Sequence, residues 1–376
     1  MQLKQLVSSL ALASTVSAQA LTDVISQTPE LSTLGALLTA YPAVAQTLAS
    51  ANNITVLAPS NSAFTAFLTS AVNASIAADA GLVPAVLSYH VLSGTIKAAN
   101  IPTTPAFPKT LLTNSTFTNV TGGQVVKAQT VNGGVRFTSG LLKASHVTTA
   151  DVTFSGGVVH IIDSVLTIPE SASSTAVAAN LTALAGALTQ TSLVAAVNGL
   201  KDVTVFAPEN SAFASIANLV STLSTQQLAS ILEYHVVNGT VGYSTTLSNG
   251  QSIPTLQGGS VKVTISNGSI FINSAEVIVP DVLIANGVAH VIDNVLNPGN
   301  STATPTGTAG SPGFSGASSA TAVPFTSGVS ASATGATGAT GTGSATGTAA
   351  TAGVPRQTAA IGAAALFGGA AFLANM

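Results

Sequence analysis

The chain has no cysteine and no tryptophan, and only 6% of its 376 residues are charged. Without cysteine there is no disulfide, no thiolate nucleophile and no thiolate metal ligand. Each folded unit must therefore rest on an apolar core, which ~130 residues can supply. Nine Lys plus Arg are spread thinly through a chain of formal net charge −3, so no basic patch suggests nucleic acid. No Gly-x-Ser-x-Gly elbow, phosphate loop or dinucleotide fingerprint is present. What is abundant is small and apolar: 46% of residues are hydrophobic, many of them Ala and Val. So uncharged a chain stays soluble most readily when sugars, not charges, cover its surface.

Both ends read as processing signals. Lys4 precedes an apolar run from Leu6 to Val16, and Val16-Ser17-Ala18 or Ala18-Gln19-Ala20 offers a small-x-small cleavage site. Residues 1–18 are thus expected to be a secretory signal peptide. At the other end, small residues from Gly347 to Gly353 precede a polar spacer, Pro355-Arg356-Gln357-Thr358, and a weakly apolar tail from Ala359 to Met376. Small site, spacer and short tail read as a GPI-attachment signal over 356–376, with Gly347, Ala350, Ala352 and Gly353 as candidate attachment residues. A transmembrane helix is the competing reading, but the tail's 18 residues barely span a bilayer and lack a basic stop-transfer flank.

Between the ends, one pattern occurs twice. Ile54-Thr55-Val56-Leu57-Ala58-Pro59-Ser60-Asn61-Ser62-Ala63-Phe64 returns as Val203-Thr204-Val205-Phe206-Ala207-Pro208-Glu209-Asn210-Ser211-Ala212-Phe213. Tyr89-His90-Val91-Leu92 returns as Tyr234-His235-Val236-Val237. Gly156-Gly157-Val158-Val159-His160-Ile161-Ile162-Asp163 returns as Asn286-Gly287-Val288-Ala289-His290-Val291-Ile292-Asp293. A repeat this long is a duplicated domain, not a solenoid unit. Helical spacing (Leu31, Leu34, Leu37, Leu38; Val177, Leu181, Leu184, Leu188) opens each copy, and short strands with Gly-rich turns close it. Period-two alternation in the last strand sends Val288, His290 and Ile292 to one face and Ala289, Val291 and Asp293 to the other. The domains are expected over 21–167 and 170–298. From 299 to 355, composition falls to Gly, Ala, Ser, Thr and a few Pro, which reads as a disordered, O-glycosylated stalk. Its ~57 residues would span roughly 40 Å as a coil and approach 180 Å if extended.

Taken together, the Ala-Pro-x-Asn-x-Ala-Phe block, the Tyr-His pair and the terminal Val-x-His-Val/Ile-Ile-Asp-x-Val-Leu block resemble fasciclin-like domains. The resemblance covers nearly all of 21–298, twice. It implies an α+β fold in which a helical part packs on a small β-sandwich or wedge. It also implies adhesion or matrix proteins, among them GPI-anchored wall glycoproteins with Ser/Thr/Ala-rich stalks. In family members that engage adhesion receptors, an acidic residue beside a Val/Ile segment is implicated. Asp151-Val152 and Asp281-Val282-Leu283 resemble that segment, although an Asp that merely starts a loop would look the same. The copies differ at Ser60/Glu209 and Gly156/Asn286, neither of which is expected to touch the core pattern.

Four histidines fall at matched positions: His90, His235, His160 and His290. As functional groups they would form a metal site or a hydrolase base with Asp163 or Asp293. Neither a third ligand nor a paired-carboxylate cluster accompanies them. Buried rings bonded to backbone are the expected role, and no cofactor, metal or catalytic residue is assigned. Asp163 and Asp293 are expected to tie a strand end to backbone donors, and Asn61 and Asn210 to serve as turn or cap residues. Tyr89 and Tyr234 belong to the same structural motif. Eight Asn-x-Ser/Thr sequons stand at Asn53, Asn73, Asn114, Asn119, Asn180, Asn238, Asn267 and Asn300, with Asn53 the doubtful one because it abuts a strand.

The expectation is a non-enzymatic, GPI-anchored surface glycoprotein on the outer face of the plasma membrane, or transferred to the wall. It would mediate adhesion or wall organisation by binding a matrix protein, a polysaccharide or its own kind. An anchored hydrolase or metal enzyme using the repeated histidines, and a structural glycan carrier, are the alternatives.

Overall fold

The computed structural model describes residues 19–68, 81–305 and 310–329. The signal peptide, Asn73, the GPI candidates and tail, and the stalk beyond 329 lie outside them. The fold is α+β, in two tandem copies.

The first copy opens with helices α1 (Leu21–Gln27), α2 (Ser32–Ala40) and α3 (Pro42–Ser50). Pro42 ends α2 and starts α3, because proline suits a first helical turn, where its missing N–H would have no partner. Strand β1 (Ile54–Pro59) leads into α4 (Asn61–Leu68), followed by α5 (Leu82–Tyr89) and β2 (Val91–Ser93). Strands β3 (Lys127–Val131), β4 (Gly134–Thr138), β5 (Ala144–Phe154) and β6 (Gly157–Ile162) complete it. The second copy runs α6 (Ala172–Ala178), α7 (Thr182–Gln190), α8 (Val194–Gly199), β7 (Val203–Pro208), α9 (Asn210–Ala214), α10 (Ala217–Val220), α11 (Thr225–Tyr234) and β8 (Val236–Val237). It closes with β9 (Ser252–Pro254), β10 (Ser260–Ser266), β11 (Ser269–Ile272), β12 (Ala275–Ile284) and β13 (Gly287–Ile292).

Each copy builds one continuous sheet, not a sandwich of two. The orders are β2-β1-β6-β5-β4-β3 and β8-β7-β13-β12-β11-β10-β9. The first and last long strands of each copy pair in parallel, β1 with β6 and β7 with β13, and all other pairs are antiparallel. Curl comes from the long strands. β5 slips register between Val147 and Val152, and β12 between Val277 and Val282. At each second slip an aspartate adopts positive φ, Asp151 at 59° and Asp281 at 63°, so the strand bends as a bulge does. The segment after β2 bridges Leu92 to Thr110 and Lys109 to Val125, bringing the curled edges together as a wedge.

Because the sheet curls, its central strands are buried on both faces. Val56 and Ala58 of β1 and Val159 and Ile161 of β6 meet the helices, while Leu57 and Ile162 fill the wedge with Tyr89 and Phe137. In the second copy Ala289 and Val291 face the helices and Ile292 faces the wedge with Phe206 and Tyr234. Alternation therefore separates two cores rather than core from solvent. Gly157 and Gly287 are required where the parallel strands meet. A Cβ on either would lie 1.9 Å from the carbonyl oxygen of Ile54 or Val203.

Two expectations change. The segment after 299 is not wholly a free stalk, since residues 310–329 lie against the second copy's helical core. Their Phe314, Val323 and Phe325 bury apolar surface that the surrounding Gly/Ser/Thr composition disguises. Asn286 is also part of the packing. It is 1% exposed, and its Nδ2 donates to the Val197 carbonyl at 2.8 Å and to that of Leu200 at 3.2 Å, tying α8 to the start of β13. Gly156 stands there in the first copy because a Cβ would lie 2.5 Å from the Ala51 carbonyl oxygen.

Candidate functional site

The repeated histidines were the strongest chemical candidates, and their ring nitrogens decide their role. His90 follows the last turn of α5. Its Nδ1 lies 2.7 Å from the Val86 carbonyl oxygen, which only accepts, so Nδ1 carries the proton. Nε2 then accepts the Leu166 amide at 2.9 Å. His235 repeats this with Ile231 at 2.7 Å and Leu296 at 2.9 Å. Burial penalises the imidazolium and pulls both rings down to about 4, against the weaker opposing effect of the carbonyl bond.

His160 and His290 hold the opposite tautomer. Their Nε2–H donates to the carbonyls of Ile96 and Gly242, each at 2.8 Å. Their Nδ1 accepts the amides of Asp151 at 3.2 Å and Asp281 at 3.3 Å. Each ring thus spans from the last strand to the bulge of its neighbour and to the loop beyond β2 or β8. Desolvation lowers the pKa of His290 as well. All eight ring nitrogens of the four histidines are committed to backbone, leaving none for a metal, a nucleophile or a substrate. Among the described residues no group of three or more His, Asp or Glu could hold a metal ion.

The other motif residues have similar work. Asn61 does not cap its own helix. Its Oδ1 accepts the Thr33 amide at 2.9 Å and its Nδ2 donates to the Pro29 carbonyl at 2.9 Å, so it fastens the start of α2. Asn210 does the same for α7 through Ala183 at 3.0 Å and Asn180 at 2.8 Å. The cap on α4 comes from Ser60, whose Oγ accepts the Ala63 amide at 3.3 Å. Tyr89 donates to the Val125 carbonyl at 3.0 Å, and Tyr234 to that of Ser260 at 2.7 Å. Asp163 accepts the His146 amide at 2.8 Å, and Asp293 that of Glu276 at 2.7 Å.

The two bulge aspartates are not equivalent, and Asp281 cannot be an exposed adhesion contact. It is 1% exposed. Its carboxylate accepts the Ser244 amide at 2.8 Å and hydroxyl at 2.6 Å, and faces Lys127 Nζ of the first copy at 3.5 Å. Asp151 is half-buried and accepts the Ala98 amide at 3.0 Å. The Lys127–Asp281 pair belongs to a junction that sequence reasoning missed. Phe107 stacks on Tyr243 with centroids 4.0 Å apart. Asn119 N donates to the Ala285 carbonyl at 2.8 Å, and Thr121 gives its amide at 2.6 Å and its hydroxyl to Asp202. Fully buried Gln124 reaches the Ile284 carbonyl at 3.1 Å. No repeated motif marks these residues, because the two copies use different surfaces to meet.

A family model described as "Fasciclin domain" matches residues 29–169 and 179–298. The chain belongs to the fasciclin-domain family. It is 36% identical over 297 residues to a fasciclin-like arabinogalactan protein of Arthroderma benhamiae, covering 78% of this chain and 70% of that one. It is 34% identical over 290 residues to the fasciclin-like arabinogalactan protein elcF of Phaeosphaeria nodorum, covering 76% and 91%. Among solved structures, a FAS1 domain pair from the insect cell adhesion molecule Fasciclin I is similar at 20% identity and a TM-score of 0.35, covering 71% and 97%.

Within these fasciclin domains the sequons differ in access. Asn53, Asn114, Asn180, Asn238, Asn267 and Asn300 are exposed, whereas Asn119 is half-buried at the junction. Asn53 has φ of 58° and its Oδ1 accepts the Thr95 amide at 2.8 Å. No helix among the described residues is long and apolar enough to cross a membrane.

Proposed function

We propose that this fasciclin-domain protein is a non-enzymatic surface glycoprotein that mediates adhesion or wall organisation, displayed from a GPI anchor on a glycosylated stalk. The observation that carries the reading is the saturation of every repeated histidine by backbone partners, which makes these four side chains internal fasteners. The two relatives' names, fasciclin-like arabinogalactan proteins, support a wall or surface setting. The junction supports presentation of the two domains as one unit. Exposed sequons would then keep an otherwise weakly charged surface hydrated. Binding by each copy would be weak and would gain from many copies on one surface, because display raises effective concentration. The binding partner is a matrix protein, a polysaccharide or a second copy of the chain.

The test is release from intact cells by phosphatidylinositol-specific phospholipase C, with bead adhesion scored before and after. Release with loss of adhesion is the expected result. Release with adhesion unchanged would overturn the adhesive role, and retention despite active lipase would overturn the anchor.

A further inference from the structure

Bulky apolar residues of the stalk gather in the stretch 310–329. Phe314, Val323, Phe325 and Val329 fall within it, whereas 330–353 holds only Gly, Ala, Ser and Thr. The stretch is fastened along its length to the second domain. Ser311 N donates to the Ser274 carbonyl at 2.8 Å, and Asn297 Nδ2 to that of Gly313 at 3.0 Å. Asn218 takes the Ser318 amide at 2.8 Å and donates to the Gly316 carbonyl at 3.1 Å. Ala320 N donates to the Ala214 carbonyl at 3.0 Å. Phe325 then meets Phe213 edge to face, centroids 6.0 Å apart. Its backbone presses so closely on α7 that a Cβ on Gly186 would lie 1.8 Å from the Phe325 carbonyl oxygen.

The first domain shows how selective this is. Asn61 and Asn210 bind the amides of Thr33 and Ala183, which aligns α2 with α7 and sets Ala36 opposite Gly186. Ala36 is exposed, as are Ser32, Thr39 and Ala40 on the same helix, whereas every residue from Thr182 to Leu188 is buried. One helix of the pair is therefore built to receive a strap, and the other carries a methyl group where the strap's backbone would pass.

We propose that residues 310–329 are a releasable latch that holds the base of the stalk on the second domain, with Gly186 as its keyhole. A pull on the C-terminal side loads the latch before it loads the domain's core. Peeling it frees about 20 residues, or roughly 70 Å of contour at ~3.5 Å per residue, less the span already covered when docked. While docked, the stretch holds the chain to the second domain as far as Val329. That tension acts on it in the cell rests on the anchored reading above; docking and release do not.

The test is single-molecule stretching of the full chain between terminal handles, with hydrogen exchange on the same protein. Expected is a low-force lengthening of several tens of ångströms before either domain unfolds, and slowed exchange at the amides of Ser311, Ser318 and Ala320. Gly186→Ala should abolish the step and restore free exchange at those amides while the second domain still unfolds at its wild-type force, since a helix accepts Ala better than Gly. Phe325→Ala should lower the release force without touching α7. Free exchange at those amides in the wild-type chain would overturn docking. Release only together with unfolding of the second domain would overturn the latch, as would an unchanged step in Gly186→Ala. None of these readings depends on adhesion, so the two proposals fail separately.

Discussion

Acid should unfold these domains through their buried histidines, by an amount that can be worked out. His90 and His235 are neutral in the fold, with pKa values drawn down to about 4 by burial, and both return to about 6.5 when the chain unfolds. Above pH 6.5 neither state is protonated at these rings, and their contribution to stability is complete. As pH falls below 6.5 the unfolded chain takes up protons that the folded chain refuses, so stability drops by ~1.4 kcal/mol per pH unit for each ring. Near pH 4 the loss reaches about 3 kcal/mol in each domain, a large share of the 5–15 kcal/mol that holds a typical domain. His290 adds to the loss in the second domain, because burial lowers its pKa too. Asp293 works against it, since its raised pKa lets the folded state bind a proton first as pH enters the carboxylate range. The assay is urea unfolding between pH 7.5 and 4.5 with hydrogen exchange read peptide by peptide, which separates the domains. His90→Gln should lower first-domain stability at pH 7.5 and flatten its slope between pH 6 and 4.5, leaving the second domain unchanged. A wild-type stability independent of pH in that window, or a slope unaltered in His90→Gln, would refute the reasoning.

Other perturbations have equally direct outcomes. Lys127→Met leaves Asp281 buried with Ser244 alone to compensate it, and should lower the melting free energy of the second domain by about 1–3 kcal/mol in calorimetry. Gly287→Ala places a methyl group on the Val203 carbonyl; the yield of folded protein should collapse, and a wild-type yield would show that the parallel pairing is more pliant than its geometry. Tyr234→Phe removes both the bond to Ser260 and the one accepted from Asn273, costing about 1–3 kcal/mol in urea unfolding. Glycopeptide mass spectrometry should find Asn119 less occupied than Asn238 and Asn267, because only Asn119 is half-buried against the other domain.

The duplication was legible because its motifs are local runs, and the same runs carry the helices, the parallel strand pair and the buried histidines. What the motif residues bond to was less legible. Asn61 looks like a cap on the helix it begins, yet its partners lie some 30 residues upstream at Pro29 and Thr33. Asp281 looks like a loop acid open to a partner, and only the approach of Lys127 from the other domain shows it to be enclosed. Junction residues such as Gln124 and Phe107 carry no periodic or motif signal, since their meaning arises from contact between copies. The strap escaped for a related reason. Averaged over 57 residues its composition is that of a coil, but two phenylalanines eleven positions apart suffice to dock it once a glycine-bearing helix is present.

The parallel pairing of β1 with β6 also governs the order of events at synthesis. Ile54 waits for Gly157, about 100 residues later, before its strand has a neighbour on that side. At ~5–20 residues per second that is an interval of roughly 5–20 s, during which the central strand of the nascent first domain is unpaired there. A chain threaded into the secretory pathway would expose Asn53, immediately ahead of β1, to glycosyl transfer throughout this delay. Asn53, exposed in the finished fold as well, thus has its widest access to glycosyl transfer while the fold is being made.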